Sequence, residues 1–121
     1  MADKALQEPA FLVLTSLAGG PQHGYGLVED VLRVSEGQVR LHTGTLYAIL
    51  DRLREGGLIE VDREEIVESR LRRYYQLTNA GAERLATEAE RMQRNASTAA
   101  SRLRQLPPRM RPGLRPDGGM A

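Results

Sequence analysis

The chain has 121 residues, 40% of them hydrophobic and 27% charged, with one Phe, no Trp and a net charge of +1. That length suits one ordinary domain and hardly two, and its core has to be aliphatic. Without cysteine, disulfides, thiolate metal sites and cysteine nucleophiles are excluded. The near-neutral total neither demands nor excludes a nucleic-acid partner, because placement of charge counts for more than its sum.

Of the 17 basic residues only Lys4 is a lysine, a bias that a GC-rich genome and a need for bidentate phosphate contacts would both produce. No stretch approaches the ~18 apolar residues of a spanning helix. The run AFLVLTSLA, from Ala10 to Ala18, is too short and wrongly flanked for a signal peptide. A cytoplasmic protein with no membrane partner is expected.

A first helix is predicted from Glu8-Pro9, since proline suits the first helical position, to the stop at Gly19-Gly20-Pro21. Its apolar residues, Phe11 and Leu14 among them, cover most of its circumference, which predicts contact with an element beyond its own domain. A second helix is predicted from Gln22 to Val34, with Leu27, Val28, Val31 and Leu32 as its core stripe. The segment SEGQVRLHTG then reads as a loop leading to Thr43 as N-cap of a third helix. Leu46, Ile49, Leu50 and Leu53 mark that helix's buried face, and Gly56-Gly57 ends it through a left-handed C-cap. Thr45, Ala48, Asp51, Arg52 and Glu55 face outward, with Tyr47 at the flank.

Two alternating segments follow, LIEVDREE and RLRRYYQLT, which predict a hairpin. Leu71, Tyr75 and Leu77 are expected inward, and Arg72, Tyr74 and Gln76 outward. The connection around Glu68-Ser69 lacks an Asn-Gly or Asp-Gly signal, so a longer, mobile loop is expected. From Thr78 or Asn79 as cap, a long helix carries Ala82, Leu85, Ala89, Met92, Ala96, Ala99, Leu103 and Leu106 on a seven-residue repeat. At 1.5 Å per residue it would be about 40 Å long, too long for so small a body to cover. Its stripe calls for a second copy of the chain. The end, PPRMRPGLRPDGGMA, cannot bury enough apolar surface to fold and is expected to be disordered.

Three helices, a hairpin and a long helix give a mostly α chain with a small β-hairpin (α+β): a winged helix-turn-helix domain over residues 1–77, a dimerisation helix over 78–106 and a tail over 107–121. In that plan the third helix enters the major groove by its N-terminal end. Gly44 leaves the backbone open there, the helix terminus attracts phosphate, and Thr43, Thr45 and Tyr47 offer neutral hydroxyl donors. Arg52 is the base on its outward face, and Arg70, Arg72 and Arg73 stand near the hairpin tip. Against this, Tyr47 serves equally well as core-rim packing. The acids Glu60, Asp62, Glu64, Glu65 and Glu68 are placed to pair with the wing arginines and blunt them. The expected dimer interface is Phe11, Leu14, Leu85, Ala89, Met92, Ala96, Ala99 and Leu103. His23 and His42 flank helix starts and read as caps or packing, so no metal and no cofactor is expected. No nucleophile–base–orienter set is visible, hence no catalytic residues. A winged helix that binds a protein instead of specific DNA is the competing function.

HGYGLVEDV at 23–31, HTGTLYAILDRLREGGLI at 42–59 and RRYYQLTNAGAERL at 72–85 together resemble the PadR-type transcriptional regulators, in the short form without a larger effector domain. The resemblance implies a homodimeric prokaryotic repressor that binds a palindromic operator in double-stranded DNA and associates with the nucleoid when bound. It also implies release by a small aromatic or hydrophobic effector. Thr43, Gly44, Thr45 and Tyr47 match the family's recognition-helix start, Tyr25 the aromatic at the head of the second helix, and Arg72 and Arg73 the basic run before the tyrosine pair. Gly26 departs from the family's larger residue there, at a cost of up to ~1 kcal/mol of helix stability. The chain has no tryptophan with which to stack a flat ligand.

Overall fold

The computed structural model describes residues 5–113. In it, four α-helices, α1 (Glu8–Ala18), α2 (Gly24–Val34), α3 (Thr43–Glu55) and α4 (Asn79–Arg104), accompany strands β1 (Gln22–His23), β2 (Ile59–Val67) and β3 (Arg70–Leu77). The strands form one antiparallel sheet in the order β1-β3-β2. The chain divides into two compact units inside α4, after Glu88.

The first unit has an aliphatic core. Val13, Leu14 and Leu17 of α1, Leu27 and Val31 of α2, and Leu46, Ile49, Leu50 and Leu53 of α3 meet Leu41, Ile59 and Tyr75. Leu14, expected at a dimer interface, is wholly enclosed in this core and offers no surface to a partner. The circumference that predicted an outside contact is filled by α2, α3 and β3 of the same chain. A polar tie through this layer is the Ser16 hydroxyl, which donates to Asp30 at 2.6 Å and joins α1 to α2. That bond, reinforced by Arg33, holds the Asp30 carboxyl below its usual range.

Gln22 and His23 do not open α2. They are extended and pair with Tyr75 and Tyr74 of β3, because His23 takes the extended conformation of a cap residue and its Nδ1 accepts from the Gly26 amide. A two-residue strand has no alternation to betray it. A Cβ at Gly26 would overlap the flexible end of the Gln22 side chain, so the larger residue of the family pattern would displace that side chain.

The hairpin is tighter than expected. Only Glu68 and Ser69 join β2 to β3, with φ of 51° and 65°. Two successive positive φ values match a type I′ connection, whose twist suits the strands but usually calls on Asn and Gly. Non-glycine residues accept it at about 1 kcal/mol each. The tip also outruns the core. Ile66 and Leu71 pair across the strands, yet both are exposed, which corrects the inward position expected for Leu71. Asp62 is an extra residue between the Val61–Tyr75 and Arg63–Tyr74 pairs, a bulge that brings the Arg63 guanidinium 3.9 Å from the Tyr74 ring centre.

The helix–wing–helix junction is built on Leu58. Gly57, with φ 75°, closes α3. The Leu58 amide donates to Leu53 O and the Gly57 amide to Arg54 O, the two bonds of a Schellman motif. The Leu58 carbonyl then accepts from the Thr78 amide. The Thr78 hydroxyl donates to Gly57 O at 2.6 Å and accepts from the Gly81 amide at 3.0 Å, capping α4. Gly81 is buried, and a Cβ there would overlap the Leu58 carbonyl oxygen, a backbone atom that cannot swing away.

The second unit contains the rest of α4 and a one-turn 3-10 helix at Pro108–Met110. Arg111 Nε donates to Leu106 O at 2.7 Å across that turn, so the first residues of the expected disordered tail have a local fold. Residues 114–121 of that tail lie outside the described residues.

Replacing glycine by alanine inside a helix ordinarily stabilises by 0.5–1 kcal/mol. Gly81→Ala is expected to do the opposite, lowering stability by about 2 kcal/mol through overpacking. Urea unfolding of the two proteins checks the sign, and an unfolding midpoint raised by the substitution would contradict the junction.

Candidate nucleic-acid interface

The start of α3 is exposed and chemically open. Thr43 is its first helical residue, not its cap. The cap position belongs to His42, whose extended backbone (φ −85°, ψ 156°) accepts the first helical bond from Leu46 but whose side chain caps nothing. Thr43, Gly44 and Thr45 are all exposed. The starts of α2 and α4 are closed by His23 and Thr78. The first amides of α3, by contrast, have no side-chain acceptor among the described residues. Such a terminus combines unsatisfied N–H groups with the positive end of the helix dipole.

Tyr47 combines the two roles that the sequence left open. Its ring lies against the N-terminus of α2: a Cβ on Gly24 would stand 2.7 Å from the Tyr47 hydroxyl and 3.3 Å from the ring carbon bearing it. The absence of a side chain at Gly24 therefore makes room for the phenol. Even so, Tyr47 is 44% exposed and Tyr25 69% exposed. Neither hydroxyl has a hydrogen-bond partner among the described residues. The pair forms a ridge with a concavity on each side.

One concavity, of about 670 Å³, lies between this ridge and the hairpin tip and is lined by Tyr25, Tyr47, Arg70, Arg72, Arg73 and Glu68 among others. The other, of about 520 Å³, is bounded by Tyr25, Tyr47, Thr43, His42 and Arg40. The structure thus brings together Tyr25, Thr43, Tyr47, Arg70, Arg72 and Arg73, with Gly44 in open space beside them. Thr45 and Arg52 fall apart from this set. They line a separate groove of about 390 Å³ against Leu6, Pro9 and Ala10, on the opposite flank of α3. Arg40 was missed. Its signal was position alone, three residues before Thr43 in a stretch read only as a loop.

The wing arginines are unequal. Arg73 is held by Glu64 at 2.9 Å. Arg63, on the acidic strand itself, engages Asp62 and Glu65. Arg70 and Arg72 have no carboxylate partner among the described residues. The acids of β2 therefore neutralise one of the three tip arginines and leave two available. Arg72 also acts on His23. Burial, then the Arg72 charge, lowers the His23 pKa from its ordinary 6.5, and Tyr74 meets the imidazole edge-on at 5.3 Å.

Residues 13–87 match the model of the transcriptional regulator PadR-like family. The chain belongs to this family. The match takes in every element from inside α1 to inside α4, and the PadR-like family is one of transcriptional regulators, not of enzymes. No curated protein sequence is significantly similar to the chain. Among solved structures, a PadR family transcription regulator from Clostridium difficile R20291 has a TM-score of 0.66 at 24% identity, covering 80% of this chain and 99% of that one. A PadR family regulator from Eggerthella lenta has a TM-score of 0.62 at 26% identity, with 81% and 82% covered. Bacillus subtilis PadR, solved in complex with operator DNA, has a TM-score of 0.60 at 21% identity, with 67% of this chain and 46% of that one covered. The winged-helix PadR fold is common to all of them. Among the described residues no helix is long and apolar enough to cross a membrane.

His23 supplies a pH test of this PadR-like site. Protonating Nδ1 removes the acceptor that caps α2, and the lowered pKa means that folding favours the neutral ring. That contribution is complete above pH 6.5 and is lost as pH falls through the lower folded-state value. Stability by urea unfolding should therefore decline from pH 7 to pH 5, and His23→Asn, a cap that does not titrate, should flatten part of the decline. An unchanged pH profile in the variant would exclude this role.

Proposed function

We propose that the chain is a homodimeric repressor of prokaryotic transcription that binds an inverted-repeat operator in double-stranded DNA. The observation that carries this reading is the open N-terminus of α3, flanked by the unpartnered phenols of Tyr25 and Tyr47 and facing the unpaired Arg70 and Arg72 across one concavity. In this reading the first two turns of α3 enter the major groove. Thr43, Gly44 and Tyr47 meet base edges or phosphates there, and Tyr25 and Arg40 hold the adjacent backbone. Arg70 and Arg72 of the wing reach the backbone or the minor groove beside it. Asp51 and Glu55 share the outward face and limit the reading end to those two turns. Thr45 and Arg52, on the far flank, contact the opposite groove wall or serve the groove under α1.

Residues 1–77 supply the DNA-binding domain and residues 78–106 the dimerisation helix. Support for the second assignment comes from the α4 stripe. Met92, Ala96 and Ala99 are exposed, and Ala89 and Leu103 half-buried, in a single chain. Phe11 is half-buried and free to join them, whereas Leu85 packs against the core of its own chain. The protein works in the cytoplasm, on the nucleoid when bound to its operator. Release by a small hydrophobic or aromatic effector completes the proposed cycle, and the groove walled by Leu6, Pro9, Ile49, Leu53 and Leu58 offers it an apolar lining.

Tyr47→Ala removes one hydroxyl contact worth about 1.5–3 kcal/mol if its acceptor is a phosphate, so operator affinity should fall tenfold or more while the dimer persists. Mobility shift and light scattering measure both. Unchanged operator binding refutes the role given to this phenol. If the wild-type protein binds no duplex even at low salt, the function is protein interaction instead.

A further inference from the structure

The net charge of +1 conceals two opposite segments. Residues 91–116 contain seven arginines and neither aspartate nor glutamate. The 90 residues before them contain ten basic and fifteen acidic side chains, a net of −5. A preference for arginine over lysine does not explain the missing acids. Elsewhere in the chain an acid occurs about every six residues, so 26 residues without one set this segment apart.

The local structure keeps these charges available. On α4, Arg94, Arg102 and Arg104 lie off the stripe that carries Met92, Ala96, Ala99 and Leu103, and all three are exposed. The helix ends before Pro107, which adopts φ −55° and ψ 145°, and the following turn presents Arg109 and Arg111, also exposed. None of these five guanidinium groups has a carboxylate partner among the described residues. Packing of the apolar stripe against a second copy would leave them in solvent.

The 90 residues that carry the winged helix, with a net charge of −5, are repelled by a duplex at long range, and only local contacts work against that repulsion. Unpaired arginines elsewhere in the chain offset it, because each phosphate they neutralise releases condensed counterions. We propose that residues 94–111 are a sequence-independent phosphate-binding arm that grips the duplex DNA backbone flanking the operator. This rests on the reading of the chain as a DNA-binding regulator. The winged helix selects the sequence, and the arm supplies a large part of the electrostatic affinity.

The test uses the full chain with Arg102, Arg104, Arg109 and Arg111 all replaced by glutamine, beside the same four positions replaced by lysine. Affinities for operator and for a random duplex are measured from low to physiological salt. Each lost phosphate contact lowers the slope of log affinity against log salt by about 0.9. The glutamine variant should therefore lose about 3.6 in slope per chain, on both duplexes alike, with the ratio between them unchanged. The lysine variant should keep the wild-type slope, and circular dichroism should match in all three proteins. An unchanged slope in the glutamine variant overturns the arm, as does a loss confined to the operator. Binding to phosphatidylserine vesicles that the glutamine variant loses, with DNA binding intact, assigns the arginines to a membrane surface and also overturns it. Tyr47→Ala, run in parallel, distinguishes the two levels. If it still lowers operator affinity tenfold or more while the slope test fails, only the arm falls; if the wild-type protein binds neither duplex, both readings fall.

Discussion

The fold depends on a single backbone crossing, where the carbonyl of Leu58 meets the start of α4. The end of α3, the first residue of the wing and the cap of α4 share hydrogen bonds through Gly57, Leu58 and Thr78. Gly81 lets the helix approach until backbone nearly touches backbone. None of these contacts is hydrophobic, yet they set where the apolar faces can meet. With α3 and β2 joined at a fixed angle, Ile59 reaches the core and β3 lies against α1. The direction of the wing relative to α3 follows. In the proposed function α3 and the hairpin act on neighbouring parts of one duplex, and the backbone hydrogen bonds of this junction tie the end of the one to the start of the other.

A second close approach fixes the start of α3. Gly24 leaves room for Tyr47, and His23 caps α2 while pairing with Tyr74 of β3. The heads of α2 and α3 and the wing strand are thus connected within a few residues. The phenol is positioned by packing at one edge and left without a hydrogen-bond partner at its hydroxyl. Preorganisation of this kind spares the ordering cost that a freely rotating side chain would incur on binding.

Much of the fold was legible in the sequence because it rests on periodic signals. The helical spacing of Leu46, Ile49, Leu50 and Leu53 identified the buried face of α3, and Gly56-Gly57 marked its end. What escaped was non-periodic. Two extended residues at Gln22-His23 carry no pattern, so β1 was absorbed into a helix. Glu68-Ser69 adopt a tight turn despite an unfavourable local preference, because the strand pairing on either side outweighs a cost of about 1 kcal/mol at each residue. Leu14 was placed at a dimer interface because the apolar residues of α1 cover most of its circumference. The sheet supplied the missing cover. Within the site, sequence position selected Thr43, Tyr47 and the wing bases and the family resemblance added Tyr25, but neither could tell the two flanks of α3 apart. Thr45 and Arg52 were therefore grouped with residues from which the helix separates them, and Arg40 was overlooked because loop residues have no face to count from.

The central claim is that two copies of the α3–wing surface read DNA together. Selection of bound genomic fragments by the full-length protein in vitro tests it most directly. An enriched inverted repeat is expected, with half-site centres separated by about 10 base pairs or a multiple of that turn. Enrichment of single, unrepeated sites, or of no sequence at all, would contradict it.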